Sequence, residues 1–331
     1  MRFLRTNREP SLSYIFVPYI CYSLAIFISF PIIAQVMIKL VCLKASEGID
    51  CNNARVSSEA SMVHLYTSLI GHIPGVFLSG FYGSIADKYG RKVSMVIPLI
   101  GSLFHLLVYC YIAIFKPIYF IPLAIFGSFI SGLSGSFGTF LMAIFSYISD
   151  VTSVNPGSRS HSFSLIESCF YGAKIAGPLA GGIWAKKFGY ITPLVFSLVL
   201  KVISLTVIIF IPESLQASVD TQKTISFDIL NTFRNINLFF TIRPARGSSP
   251  LPFLIIAFFL YFTASSGDSS IFVVFVKHVF HWESDQIGYF IASEGCIQMF
   301  SILALPYIIE RMLRITCIDD ILWIQVAYMS K

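Results

Sequence analysis

Charge is what this sequence has least of. Of its 331 residues only 12% are Asp, Glu, Lys or Arg, while 56% are hydrophobic. A soluble domain carries roughly 25% charged residues, so this chain lacks the polar surface that an ordinary globule needs. The seven cysteines form no C-x-x-C pair and lie mostly inside apolar runs. That excludes a zinc ribbon and a disulfide framework, and leaves buried thiols as the expectation. Only Cys42 and Cys51, at the first polar loop, are placed to pair if that loop is extracellular. No N-x-S/T sequon, phosphate-cradling glycine loop or metal-ligand cluster is present, and no nucleophile, base and orienter stand at a useful spacing. The chain is therefore expected to be no enzyme and to need no cofactor or metal. The net charge of +6 comes without any nucleic-acid motif, and basic residues gathered on one side of a bilayer account for it.

Long apolar runs are what the sequence has instead. A helix needs about 20 apolar residues to cross a hydrocarbon layer of about 30 Å. Such runs predict eight spans, near 12–42, 61–83, 93–115, 118–148, 163–185, 190–211, 251–276 and 286–309. The first follows Arg2, Arg5 and Arg8 and is too long for a secretory leader. Basic residues alternate between the connections. Lys88, Arg91 and Lys92, then Arg159, then Lys223, Arg234, Arg243 and Arg246, then Arg311 and Arg314 fall on the side of the N-terminus. The positive-inside rule makes that side cytoplasmic and puts both termini there. The expected organisation is a six-helix bundle over 1–212, a cytoplasmic linker over 213–249, two further helices over 250–310 and an atypical tail over 311–331. The tail carries Asp319 and Asp320 and is too short to span.

Between the second and third spans stands "GSIADKYGRK", Gly83 to Lys92. Gly83 lets two helices approach, Asp87 can take an arginine, Gly90 permits a tight turn, and Arg91 and Lys92 anchor the turn in the cytoplasm. This G-x-x-x-D-x-x-G-R-K spacing resembles the signature loop of the major facilitator superfamily, and "IPES" at 211–214 is a second, weaker agreement. The resemblance implies an all-α membrane protein, with a complete N-terminal six-helix half and an incomplete C-terminal half. It also implies alternating access around a solute site at the bilayer midplane, and it makes Gly83, Asp87, Gly90, Arg91 and Lys92 a gating element. The stretches "SYISDVTSVNPGSRSHSFSLIES" (146–168) and "HWESDQIGYF" (281–290) resemble solute carrier family 46, the proton-coupled folate transporter and thymic stromal cotransporter family. In that family a glutamate early in span five is a proton-coupling candidate, and it falls on Glu167. The sequence departs from the family at Thr263 and Ala264, where a histidine is expected, and at His281, where a cysteine is expected.

An ionisable side chain at bilayer depth costs at least about 2.5 kcal/mol, so it normally faces a cavity or a partner. Glu167, Lys174, Asp268 and Glu294 are such residues. The seven-residue step from Glu167 to Lys174 turns about 700°, so the two share a helix face. They can form a loose internal ion pair, or act separately as a proton site and an anion contact. Lys174, Asp268 and Glu294 are the substrate-binding candidates. His64, His72 and His105 are expected to be neutral hydrogen-bonding histidines.

The function expected is secondary active transport, proton-coupled symport of a small organic anion, folate-like or other, in the plasma or lysosomal membrane. Protons, the anion and the lipid bilayer are the partners, without nucleic acid. Two alternatives stand beside it. One is a truncated, non-transporting fragment or regulatory membrane protein, because the superfamily plan needs about twelve spans. The other is a drug/proton antiporter, because "GPLAGG" (177–182) resembles the G-P-x-x-G-G motif of those carriers.

Overall fold

The computed structural model describes residues 11–44, 54–152, 156–214 and 272–316, with isolated helical positions at 253, 256, 257 and 260. Every regular element among them is a helix: α1 (Ser13–Lys44), α2 (Ala54–Tyr89), α3 (Arg91–Phe115), α4 (Phe120–Leu133), α5 (Ser136–Val151), α6 (Pro156–Phe188), α7 (Ile191–Phe210) and α8 (Ser284–Thr316), with a further helical stretch at 272–279. This is an all-α membrane protein. Among the described residues five helices are long and apolar enough to cross a bilayer, counting α4 and α5 as one.

The first span is the centre of the bundle. Some 67% of its most apolar window lies inside the protein, against 17% for α2 at the periphery. α1 packs on both α6 and α7, whereas α2 leans on α4. Two apolar cores fill the bundle. One joins Ile32–Cys42 of α1 to Leu106, Tyr109 and Ile112 of α3 and to Phe120 and Ala124 of α4. The other joins Ile15, Tyr19 and Tyr22 to Met95 and Leu99 and to Phe140, Ile144 and Tyr147 of α5.

Several boundaries differ from expectation; α2 begins at Ala54 rather than 61 and α6 at Pro156 rather than 163. The basic loop between spans two and three is a single residue, because helix runs to Tyr89 and resumes at Arg91. Gly90 makes that turn at φ 111°, a conformation that L side chains avoid. The fourth span is broken rather than continuous. Ser134 and Gly135 (φ 92°) separate α4 from α5, Ser136 opens α5 at φ 54°, and the Tyr82 hydroxyl donates to the Leu133 carbonyl at 2.6 Å beside the break. A membrane helix tolerates such an interruption only where the protein satisfies the freed polar groups. The last helix, expected to end near 309, continues to Thr316. Cys42 is disulfide-bonded, whereas Cys21, Cys110, Cys169 and Cys296 are free. The expected pairing partner, Cys51, lies outside the described residues.

Candidate functional site

Two charged constellations stand out, one around Gly90 and one where α6 meets α8. The first starts from the one-residue turn. Because α2 and α3 are separated by Gly90 alone, Asp87 in the last turn of α2 reaches Arg91, the first residue of α3, with Oδ1 to Nη1 at 2.5 Å. The Arg91 Nε donates to Asp150 Oδ2 on α5 at 3.0 Å, and the Ser214 hydroxyl donates to the same oxygen at 3.1 Å. Glu213, just past α7, closes the ring. Its Oε1 accepts the Arg91 backbone N–H at 2.8 Å and its Oε2 accepts the Lys92 N–H at 3.2 Å. These are orphan donors of the α3 N-terminus, where a carboxylate also meets the positive end of the helix dipole.

The Glu213 carboxylate sits so close that a Cβ on Gly90 would come within 2.6 Å of its Cδ. Gly90 is thus required twice, for its φ and for space. Lys92 turns inward at this element: it is 2% exposed, and its ammonium donates to the Ile209 and Ile211 carbonyls at 2.5 and 2.9 Å. The last carbonyls of α7 have no helical partner of their own, and so draw the lysine inward. Gly83 marks no tight helix contact, since a Cβ there would meet only Met142 Sδ at 3.9 Å.

The second constellation lies on α6. Glu167 and Lys174 share a face, but they do not pair with each other among the described contacts. Lys174 reaches across to α8, donating to Glu294 Oε1 at 2.8 Å and to Gln298 Oε1 at 2.7 Å, while Gln298 Nε2 donates to Glu294 Oε1 at 2.9 Å. The small residues of "GPLAGG" explain this reach. A Cβ on Gly288 would come within 2.5 Å of the Pro178 carbonyl, and one on Gly182 within 2.5 Å of the Ser284 carbonyl. The two backbones therefore touch, and the lysine spans the remaining gap. At the far end of the same seam Lys186 is held by Glu283 at 2.7 Å and by Asp285 at 3.0 Å.

Glu167 is half-buried and has neither an ion pair nor a hydrogen bond among the described residues. It lies within electrostatic range of Tyr19 on α1, whose buried hydroxyl faces that of Ser23 one turn on. Asp268, the remaining candidate, lies outside the described residues. Of the histidines, His72 Nδ1 faces the Ser68 carbonyl at 2.6 Å and His105 Nε2 faces the Ser128 hydroxyl at 3.4 Å.

Two participants escaped the sequence reading. Lys201, in the middle of α7, is 4% exposed, donates to the Ser102 carbonyl at 3.1 Å and lies 5.6 Å from the Tyr22 ring centroid. Its signal is a lone lysine inside "LVLKVISL", a charge at bilayer depth by the same criterion as Lys174. Glu213 was visible only as part of "IPES", and its contact across 122 positions leaves no local trace.

The Major Facilitator Superfamily profile matches residues 12–318. The chain is similar to curated members of solute carrier family 46. It is 26% identical to the proton-coupled folate transporter of Rattus norvegicus over 243 residues, which cover 73% of this chain and 51% of that protein. It is 26% identical to the lysosomal proton-coupled steroid conjugate and bile acid symporter of Gallus gallus, over 80% of this chain and 56% of that one. The class E tetracycline resistance protein of Escherichia coli is 25% identical over 72% of this chain and 54% of its own length. The chain thus spans about half the length of the curated relatives it matches. With helices throughout its described residues and the profile running through nearly its whole length, the chain belongs to the major facilitator superfamily.

Proposed function

We propose that this chain carries out the proton-coupled movement of a small organic anion across a membrane, with Glu167 as the proton carrier. The observation that carries the reading is Glu167 itself: a half-buried carboxyl on α6 with no ion pair among the described residues, within electrostatic range of the buried Tyr19 hydroxyl of α1. Such a group can gain and lose a proton at modest cost, whereas a carboxylate locked to lysine cannot. The names of two relatives, a proton-coupled folate transporter and a proton-coupled steroid conjugate and bile acid symporter, agree with an anionic cargo.

Lys174 is the anion contact in this reading. Glu294 occupies it in the structure, and a substrate carboxylate exchanging with Glu294 would turn binding into a change at the α6–α8 seam. The Gly90 cluster acts as the gate on the cytoplasmic side. The disulfide at Cys42, at the opposite end of α1, supports that orientation, because disulfides persist on the non-cytosolic face.

The test is uptake of radiolabelled folate and taurocholate into cells expressing the chain, at about pH 5.5 and about pH 7.4. Uptake of one of them is expected to be larger at acidic pH, and Glu167→Gln is expected to remove the pH dependence while surface expression holds. A pH dependence that survives Glu167→Gln would overturn the role of Glu167.

A further inference from the structure

At the end of the molecule opposite the Gly90 cluster, four segments enclose a cavity of about 340 Å³: α1, the end of α6 with the turn into α7, the end of the 272–279 helix, and the turn that opens α8. Two lysines, Lys186 and Lys277, line it. Lys186 is taken by Glu283 and Asp285. Lys277 is not taken by anything: among the described residues it forms no ion pair, and Lys39 lies near enough to repel it. Lys39 in turn rests 5.7 Å from the Tyr190 ring centroid and has no carboxylate partner among the described residues. Burial and that repulsion together hold the Lys277 ammonium below the usual lysine range, which is the electrostatic state an anion would relieve.

A second, independent observation lies on α1. Gln35 lines the cavity, is 1% exposed and accepts the Ser284 hydroxyl on its Oε1, while its Nε2 has no hydrogen-bond partner among the described residues. A buried amide donor left unpaired is costly, and a ligand oxygen would satisfy it. Trp282 and Tyr190 supply flat apolar walls. The cavity lies in the lower part of the size range of small-molecule sites, roughly 300–1,000 Å³.

We propose that this cavity binds a small organic anion, a carboxylate carried on an aromatic or other apolar ring. Its oxygens lie between the Lys277 ammonium and the Gln35 amide, and its ring rests against Trp282 and Tyr190. The site is separate from Lys174, which stands twelve residues, about 18 Å, back along α6 from Lys186. It does not depend on transport by this chain, and its occupancy can be measured without any gradient.

The probe is 4-nitrobenzoate, a ring carboxylate that quenches indole fluorescence. It is titrated in phosphatidylcholine nanodiscs against the full chain carrying Trp184→Phe and Trp323→Phe, which leaves Trp282 as the one indole, with Trp282→Phe in that background as the reference lacking the reporter. Saturable quenching that disappears in Trp282→Phe is expected. The neutral 4-nitrobenzyl alcohol is expected to bind at least about tenfold more weakly, because it cannot make the charge-assisted contact. Lys277→Gln and Gln35→Leu should each weaken 4-nitrobenzoate about tenfold. If Gln35→Leu fails to fold, Lys277→Gln alone decides. Quenching that never saturates, that persists in Trp282→Phe, that is equal for the alcohol, or that is unchanged by Lys277→Gln overturns the site.

Discussion

At the residue scale the protein spends its few charges on closing helix ends. Glu213 serves two N–H groups at the start of α3, and Lys92 serves two carbonyls at the end of α7, so each element caps the other from a distance of about 120 positions in the chain. Removing Glu213 leaves orphan donors in a half-buried turn, a loss of about 1–2 kcal/mol by analogy with side-chain caps. Glu213→Ala is therefore expected to lower the thermal midpoint of the purified chain, and Glu213→Gln, which keeps an acceptor, to lower it less. Equal midpoints for wild type and Glu213→Ala would show that water replaces the cap. Lys201 predicts the opposite sign. Its ammonium is buried with one carbonyl and an aromatic face for company, and a buried charge so thinly compensated is commonly less stable than a well-packed apolar side chain. Lys201→Met should raise the midpoint. A fall would mean that the Ser102 hydrogen bond outweighs the desolvation.

At the element scale, what the sequence reveals depends on whether the signal is local. Spans one, three and six are plain because each is one uninterrupted apolar run, and α1, α3 and α7 lie where those runs lie. The break between α4 and α5 is hidden, because counting apolar residues over 118–148 treats Gly and Ser as neutral. "SGLSGSFG" at 131–138 nonetheless concentrates the residues that a positive φ and an interrupted helix need. For the candidate site, Glu167 and Lys174 were legible as charges in an apolar run. Their separation was not, since it depends on Glu294 and Gln298, 120 and 124 positions away. The α6–α8 seam makes a prediction of its own. Lys174→Met and Glu294→Gln each strand a charged or polar partner, whereas the double variant strands neither ion. A double-mutant cycle on the thermal midpoint should give a coupling of about 1 kcal/mol, modest because Glu294 is 42% exposed. No coupling would mean that the pair is too solvated to hold the seam.

For the whole molecule the question is which group could make its behaviour depend on pH. The seam ends, beyond the spans expected from the sequence, in the clamp of Lys186 on Glu283 and Asp285. Lys186 holds the Asp285 carboxyl below the usual carboxylate range, and the two acids hold the Lys186 ammonium above the usual lysine range. The depressed carboxyl contributes stability that is present above its unfolded value of about 3.9 and is lost only as pH falls through the still lower folded value. The raised ammonium contributes stability that is present below about 10.4 and is lost only as pH rises through the higher folded value. The clamp is therefore constant between about pH 5 and about pH 9, the interval that includes both acidic organelles and the cell exterior. A switch within that interval comes from a group outside the clamp, and Glu167 on α6, a half-buried carboxyl without an ion pair among the described residues, is one such group. Lys186→Gln is accordingly expected to lower the thermal midpoint by the same amount at about pH 5.5 and about pH 7.5 and to leave the shape of an uptake–pH profile unchanged. Glu167→Gln is expected to flatten that profile while changing the midpoint little. Measuring both properties in both variants separates a clamp from a proton carrier. A flattened profile in Lys186→Gln would assign the pH response to the seam instead of Glu167.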